Sequence, residues 1–477
     1  MQASSLPFVS DLGKARVFDI AIVGGGFSGV MTAVHLLRHC PPTSSILLIE
    51  RSDKLGRGVA FGTTTAQHLL NVPAKNMSAF ADEPGHFLQW VQRHKDSDVS
   101  PNTFVPRQWY GEYVDSILAD QVRKANSARL SSVRGEVVGV DQHDRGVRLT
   151  FADSSQIVAR LVVLAVGNFP PPDPLPLRQL PSRHYARYAW SPEALEGIAN
   201  SDSVLLIGSG LTAIDQVVTL EKRGHSGPIY MLSRRGLLPA THRHENAWPA
   251  AWTDDLPTSI RCLFQKVREQ VNDAKTREVG WRPVIDSLRP ATQRLWKNME
   301  LAERRRFLRH VRCFWEVHRH RIAPEIGTLI DELRRNGRLR TEAGRVVECI
   351  TNDGHVEVRY RNRETGELRA VQVSRIVNCT GHETDARKID SPIVQSLLAN
   401  RLARVDASAQ GLDVTDDGAV VDDRGRASKT LFALGSVRKG LLWESTAVPE
   451  LRVQAQALGS ALAAQLAEVP QAFGFAG

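Results

Sequence analysis

Two glycine-rich turns carry the most specific chemistry in this sequence of 477 residues. The first, Gly24-Gly25-Gly26-Phe27-Ser28-Gly29, follows an apolar strand over 18–23 and opens an apolar-periodic helix over 30–38. Gly24 suits the tight turn, Gly26 lets backbone approach a pyrophosphate, and Gly29 permits close helix–strand packing. The helix N-terminus presents N–H groups and the positive end of its dipole to phosphate oxygens. Glu50 closes the next strand and can accept hydrogen bonds from ribose hydroxyls.

The second turn, Gly208, Gly210 and Ala213, follows a strand over 204–207 and is the same device with alanine in third place. Its next strand ends in Ser233-Arg234-Arg235 rather than in an acid. A carboxylate there would bind a free 2′-hydroxyl, whereas guanidinium groups suit a 2′-phosphate, so NADPH is expected over NADH. Two dinucleotide sites in a chain without a CxxC dithiol imply a relay: FAD in the first site, reduced by hydride from NADPH in the second.

Arginines concentrate between 282 and 321 in a stretch expected to be helical. Arg305, Arg309, Arg312, Glu316 and Arg319 fall on one face at α-helical spacing, with Phe307, Leu308, Val311, Trp315 and His318 on another. This pattern fits a solvated basic face. It equally fits Arg282, Arg312 and Arg319 as a bidentate clamp for a substrate carboxylate or phosphate, with His318 and His320 as proton-donor candidates. Asn71 is the nearest polar side chain to meet a flavin ring, or else it caps a turn. Gly435 ends a strand, and Pro449 is placed to open the last helix, whose N-terminus would stabilise an anionic reduced flavin. His242-Arg243-His244-Glu245 looks superficially like a metal pattern, but its adjacency suits a loop, and no metal is expected.

The elements that position these residues read as an α/β chain with two Rossmann-like domains and a helical insertion. The expected divisions are an N-terminal tail over 1–17, an FAD-binding domain over 18–170 and 372–477, and an NAD(P)H-binding domain over 171–371. The insertion falls at about 250–335. Pro170-Pro171-Pro172 makes a stiff first boundary.

Composition narrows the class further. Hydrophobic residues make up 42% and charged residues 24%, which permits two or three well-cored domains and excludes a disordered or fibrous chain. The longest apolar runs, such as 161–166, fall far short of the ~20 residues a bilayer demands. The first residues lack the apolar core of a signal peptide, and the five cysteines are scattered without metal-ligand spacing. A cytoplasmic setting is expected. The net charge of +9 forms no basic tail, and its concentration in arginines between 282 and 321 favours a local anion site over nucleic acid.

Several further stretches resemble FAD–NAD(P)-binding flavoproteins related to class B flavin monooxygenases and amino-acid N-hydroxylases. They are Gly56-Arg57-Gly58-Val59-Ala60-Phe61-Gly62, His68-Leu69-Leu70-Asn71-Val72-Pro73, Trp281-Arg282-Pro283-Val284-Ile285-Asp286, Phe307-Leu308-Arg309-His310, Trp315-Glu316-Val317-His318-Arg319-His320-Arg321 and Trp443-Glu444-Ser445-Thr446-Ala447-Val448-Pro449-Glu450-Leu451-Arg452. The resemblance implies a two-dinucleotide-binding flavoprotein, with Arg57 and Gly58 passing along the FAD. It also implies FAD-dependent, NADPH-consuming chemistry without fixing the substrate; with the arginine segment, the leading expectation is a monooxygenase that hydroxylates a small anionic substrate through a flavin C4a-peroxide. An amine nitrogen of an amino acid would be one reacting atom, O2 the co-substrate, and oligomerisation is compatible. The alternatives are a flavin reductase with another acceptor and a non-catalytic flavin-bound sensor. His184 and Trp190 depart in spacing from the Baeyer–Villiger fingerprint, which argues against ketone oxygenation.

Overall fold

The structure is a computed structural model that describes residues 8, 17–125, 129–249, 252 and 256–468. Nearly all of the expected tail over 1–17 lies outside the described residues, as do 250, 251 and 253–255 at the start of the insertion. In chain order the strands are β1 Val17–Val23, β2 Ile46–Glu50, β3 Leu130–Arg134, β4 Val137–His143 and β5 Gly146–Phe151. They continue with β6 Gln156–Leu164, β7 Tyr185–Ala186, β8 Val204–Ile207, β9 Ile229–Ser233 and β10 Leu339–Asn352. The last are β11 His355–Asn362, β12 Leu368–Val373, β13 Arg375–Asn378, β14 Ala419–Val421 and β15 Ala427–Ala433.

The chain divides into two compact units. One comprises Met1–Thr64, Val72–Phe169 and Thr384–Gly477, the other Thr65–Asn71 and Pro170–Glu383. The expected boundary at 372 is corrected to Thr384, because 372 falls inside β12. Strand β13 pairs in parallel with β8 and β7, so its buried run must stay with the second sheet.

In the first unit the sheet runs β14-β15-β6-β1-β2-β3, with the β4–β5 hairpin joined through β6. Strand β1 pairs in parallel with β2 and β6, as the helix Phe27–His39 crossing from β1 to β2 requires. That helix and the C-terminal helix Val448–Glu468 approach closely, since a Cβ on Gly459 would stand 2.7 Å from the Cβ of His35. The hairpin side buries Val140, Leu149 and Phe151 in one cluster with Ile393 and Leu397 of the helix Pro392–Ala399.

In the second unit the order is β12-β11-β10-β9-β8-β13-β7. Strands β10, β9, β8, β13 and β7 are parallel, while β10 continues into an antiparallel meander with β11 and β12 that carries a bulge between Val346 and Glu348. Helices Leu211–Lys222 and Pro324–Arg335 bury Ala213, Val217, Ile330 and Leu333 in the core cluster that also contains Leu206 and Met231. Between β9 and Pro324 come the helices Ile260–Thr276, Trp281–Ser287, Thr292–Asn298, Leu301–Arg306 and Arg312–Arg319. Among the described residues no helix is long and apolar enough to cross a membrane.

Candidate functional site: two glycine turns and the segment behind the second

Both turns sit where a parallel strand ends and its helix begins. Gly24 and Gly208 each have φ +110°, a conformation that side chains with a Cβ rarely adopt. A Cβ on Gly24 would meet the carbonyl oxygen of Ala165 at 2.2 Å, and one on Gly208 that of Cys379 at 2.5 Å. Gly29 is closed as tightly, 1.8 Å from the Gly24 oxygen. The middle glycines are different. A Cβ on Gly26 would have the Cα of Gly58 as its neighbour at 3.7 Å, and one on Gly210 would meet nothing within 4 Å. Gly24, Gly29 and Gly208 are therefore fixed by the protein's own packing, whereas a Cβ at the second position of either turn would meet nothing closer than 3.7 Å beside the helix N-terminus. That space suits a dinucleotide pyrophosphate, and the residues present fit the group.

Around the first turn the structure brings Gly24, Gly26, Gly29, Glu50 and Gly58 together. Glu50 accepts the Gly25 N–H at 2.7 Å on one carboxylate oxygen and the Ser52 N–H at 2.9 Å on the other. Each oxygen retains a lone pair for a hydroxyl donor. Residues 58–61 form one helical turn. Arg57, just before it, donates from Nη1 to the Gln108 carbonyl at 3.1 Å and lies over Gly111. Gly435 comes to the same place: a Cβ there would lie 3.6 Å from Ser28 Oγ. Its N–H is held at 3.3 Å by Gln454, a residue the sequence reading missed. Pro449 is the second residue of the C-terminal helix, not the first.

Around the second turn Ser209 Oγ donates to the Leu237 carbonyl at 2.5 Å and lies 2.8 Å from Ser233 Oγ, which also accepts the Gly236 N–H at 3.0 Å. These bonds fix the loop that carries Arg234 and Arg235. Arg234 is exposed. The Arg235 guanidinium lies 4.9 Å above the ring of Phe314.

The arginine segment departs from expectation. Residues Phe307–Val311 form a π-helical turn between the helices Leu301–Arg306 and Arg312–Arg319. A π turn holds an extra residue, so it breaks the α-helical register that would place Arg305 and Arg309 on one face with Arg312 and Arg319. Arg312 pairs with Glu316 at 2.7 Å. Arg282 donates from Nε to the Thr241 carbonyl at 2.9 Å and pairs with Glu245 at 3.3 Å, so its charge is balanced within the fold. His318 donates from Nδ1 to the Phe314 carbonyl at 2.7 Å and meets the Trp281 ring edge-on, and His320 caps the helix through its N–H to Glu316.

Asn71 belongs by its contacts to the second unit, although it lies within the 18–170 stretch expected for the first domain. His242 donates from Nε2 to the Asn71 carbonyl at 3.0 Å. Burial, reinforced by the nearby Arg321 guanidinium, lowers the His242 pKa to about 4, so this imidazole is neutral at pH 7.

Comparison with known proteins identifies similar folds. Residues 21–169 match the family model described as FAD-NAD(P)-binding. The ornithine hydroxylase of Pseudomonas aeruginosa superposes with TM-score 0.64 at 17% identity, over 94% of this chain and 100% of that one. An ornithine N-hydroxylase of Kutzneria sp. 744, solved with reduced FAD, NADP+ and L-ornithine, gives 0.62 at 16%, covering 94% and 100%. The bacillithiol disulfide reductase of Bacillus cereus gives 0.54 at 16%, also covering 94% and 100%. Residues 21–169 thus match an FAD-NAD(P)-binding family model, and the chain as a whole shares the fold of the ornithine hydroxylase.

Proposed function

We propose that this protein is an FAD-dependent, NADPH-consuming monooxygenase that hydroxylates a small anionic substrate, most simply an amine nitrogen of an amino acid. The observation that carries the reading is the pair of open glycine turns on separate parallel sheets, in a fold that superposes over 94% of the chain on an ornithine hydroxylase. In the first unit Gly24, Gly26, Gly29, Glu50 and Gly58 would hold FAD, and in the second Gly208, Gly210, Ala213, Ser233, Arg234 and Arg235 would hold NADPH. When bound, the flavin supplies the two-electron chemistry that activates O2. The chain's part is to orient both nucleotides and to bind the substrate. Arg282, Arg312 and Arg319 are the candidate anion contacts, Arg312 and Arg319 standing at the two ends of one helix.

A reductase that relays electrons through a dithiol is the second reading, raised by the likeness to bacillithiol disulfide reductase. The cysteines speak against it. The five form no CxxC pair, Cys40 and Cys379 are buried while Cys262 alone is exposed, and burial pushes the Cys40 and Cys349 thiols up to about 11, away from the thiolate such a relay needs.

The test is NADPH oxidation by the purified flavoprotein, with and without O2, over a panel of amino acids, other carboxylic acids, neutral amines and ketones. Product mass and released peroxide are followed in parallel. A product heavier by one oxygen, formed from an acid and weakened in Arg319→Leu, supports the proposal. Equal turnover without O2 when a disulfide is supplied would replace it with the reductase reading.

A further inference from the structure

The helical insertion is tied to the loop that carries the second turn's arginines. After β9 ends at Ser233 the chain turns through Gly236 and runs beside the end of the helix Arg312–Arg319. There Ala240 donates its N–H to the Val317 carbonyl at 2.8 Å, Ile322 donates to the Ala240 carbonyl at 3.0 Å, and His242 donates to the Ile322 carbonyl at 2.9 Å. Nearer the glycine turn, Phe314 of that helix offers its ring face to Arg235 at 4.9 Å. Phe314 is 40% exposed, so burial alone does not explain an aromatic side chain there. The π turn just before sets its direction, because removing one residue would rotate every later side chain by about 100°.

We propose that Phe314 is a specificity-determining positioning residue for the nucleotide, holding the Arg235 guanidinium for a 2′-phosphate. The inference rests on the reading of Arg234 and Arg235 as the NADPH-selecting pair. Arginine has a long, rotamer-rich side chain, and ordering it on binding opposes affinity. An aromatic face restricts that freedom beforehand and leaves the guanidinium edge, with its N–H donors, directed outward for phosphate oxygens. Ser209 and Ser233 fix the backbone beneath it, so ring and loop together define where the charge stands. Discrimination between the two nicotinamide nucleotides therefore depends on a residue about 80 positions beyond the arginines, in a helix outside the dinucleotide fold.

The test uses calorimetric binding of 2′,5′-ADP and 5′-AMP to the FAD-loaded protein, independent of turnover. Phe314→Leu is expected to reduce the preference for 2′,5′-ADP by about two- to fivefold, the size of an exposed cation–π contact, with 5′-AMP affinity unchanged. Phe314→Tyr should keep the wild-type ratio, and Phe314→Leu should add nothing once Arg235 is alanine. If Arg235→Ala loses the preference while Phe314→Leu keeps it, the ring is irrelevant and the inference falls, though the NADPH reading stands. If the wild-type protein shows no preference for 2′,5′-ADP, the reading of the second turn fails and the inference fails with it.

Discussion

Gly26 faces Gly58 across the first turn, with the place of a Cβ on Gly26 standing 3.7 Å from the Gly58 Cα. That is ordinary contact distance, so the protein itself has no steric need for glycine at 26. The need would come from the nucleotide. Gly26→Val is therefore expected to yield folded protein with a near-wild-type far-UV spectrum and no yellow flavin absorbance. Gly29→Ala, whose Cβ would stand 1.8 Å from the Gly24 oxygen, should instead lose soluble protein. A yellow, stoichiometrically loaded Gly26→Val protein would show the first site to be wrongly assigned.

The second turn offers the matching experiment on specificity. Replacing Arg234 and Arg235 together with alanine should raise the KM for NADPH tenfold or more, because each charge-assisted bond contributes about 1.5–3 kcal/mol. The KM for NADH should barely move. Equal losses with both nucleotides would mean that these arginines hold the loop and not the 2′-phosphate.

Acid stability should carry the signature of two histidines. Burial lowers the pKa of His35, between the first and last helices, and of His242, beside Asn71, from 6.5 to about 4. The folded state therefore resists protonation that the unfolded chain accepts. The stability this represents is whole above pH 6.5 and is lost as pH falls toward 4. Melting temperature measured from pH 7.5 to 4.5 should fall, and His35→Leu should flatten that slope. An unchanged slope would place the acid sensitivity elsewhere.

Arg375 predicts a purely structural defect. Its guanidinium is 5% exposed and donates to the carbonyls of Ala194 at 3.0 Å, Ser182 at 2.7 Å and Arg183 at 2.8 Å, and also to that of Glu193. Methionine there would leave these oxygens without their donor, at about 2–5 kcal/mol in all. Arg375→Met should lower the denaturant midpoint strongly, while the flavin spectrum of protein that remains folded stays as in wild type.

The local parts of the site were legible in the chain itself. Strand, glycine turn, helix and the following Glu50 or Arg234-Arg235 lie within about thirty residues of one another. Backbone sterics, helix-end donors and hydrophobic periodicity act over that range, so both turns and their parallel strands could be read directly. Tertiary structure decided what depends on distant segments meeting. It assigned β13 to the second sheet, since β13 completes its pairing with β7 and β8, from parts of the chain well over a hundred residues earlier. It gave Arg282 and Arg312 their carboxylates. It also broke the arginine face, because a π turn is chosen by packing at both its ends and leaves no mark in α-helical spacing. Arg235 was visible as a charge in the sequence; that it lies on Phe314 follows only from the fold, which ties the insertion back to the loop after β9.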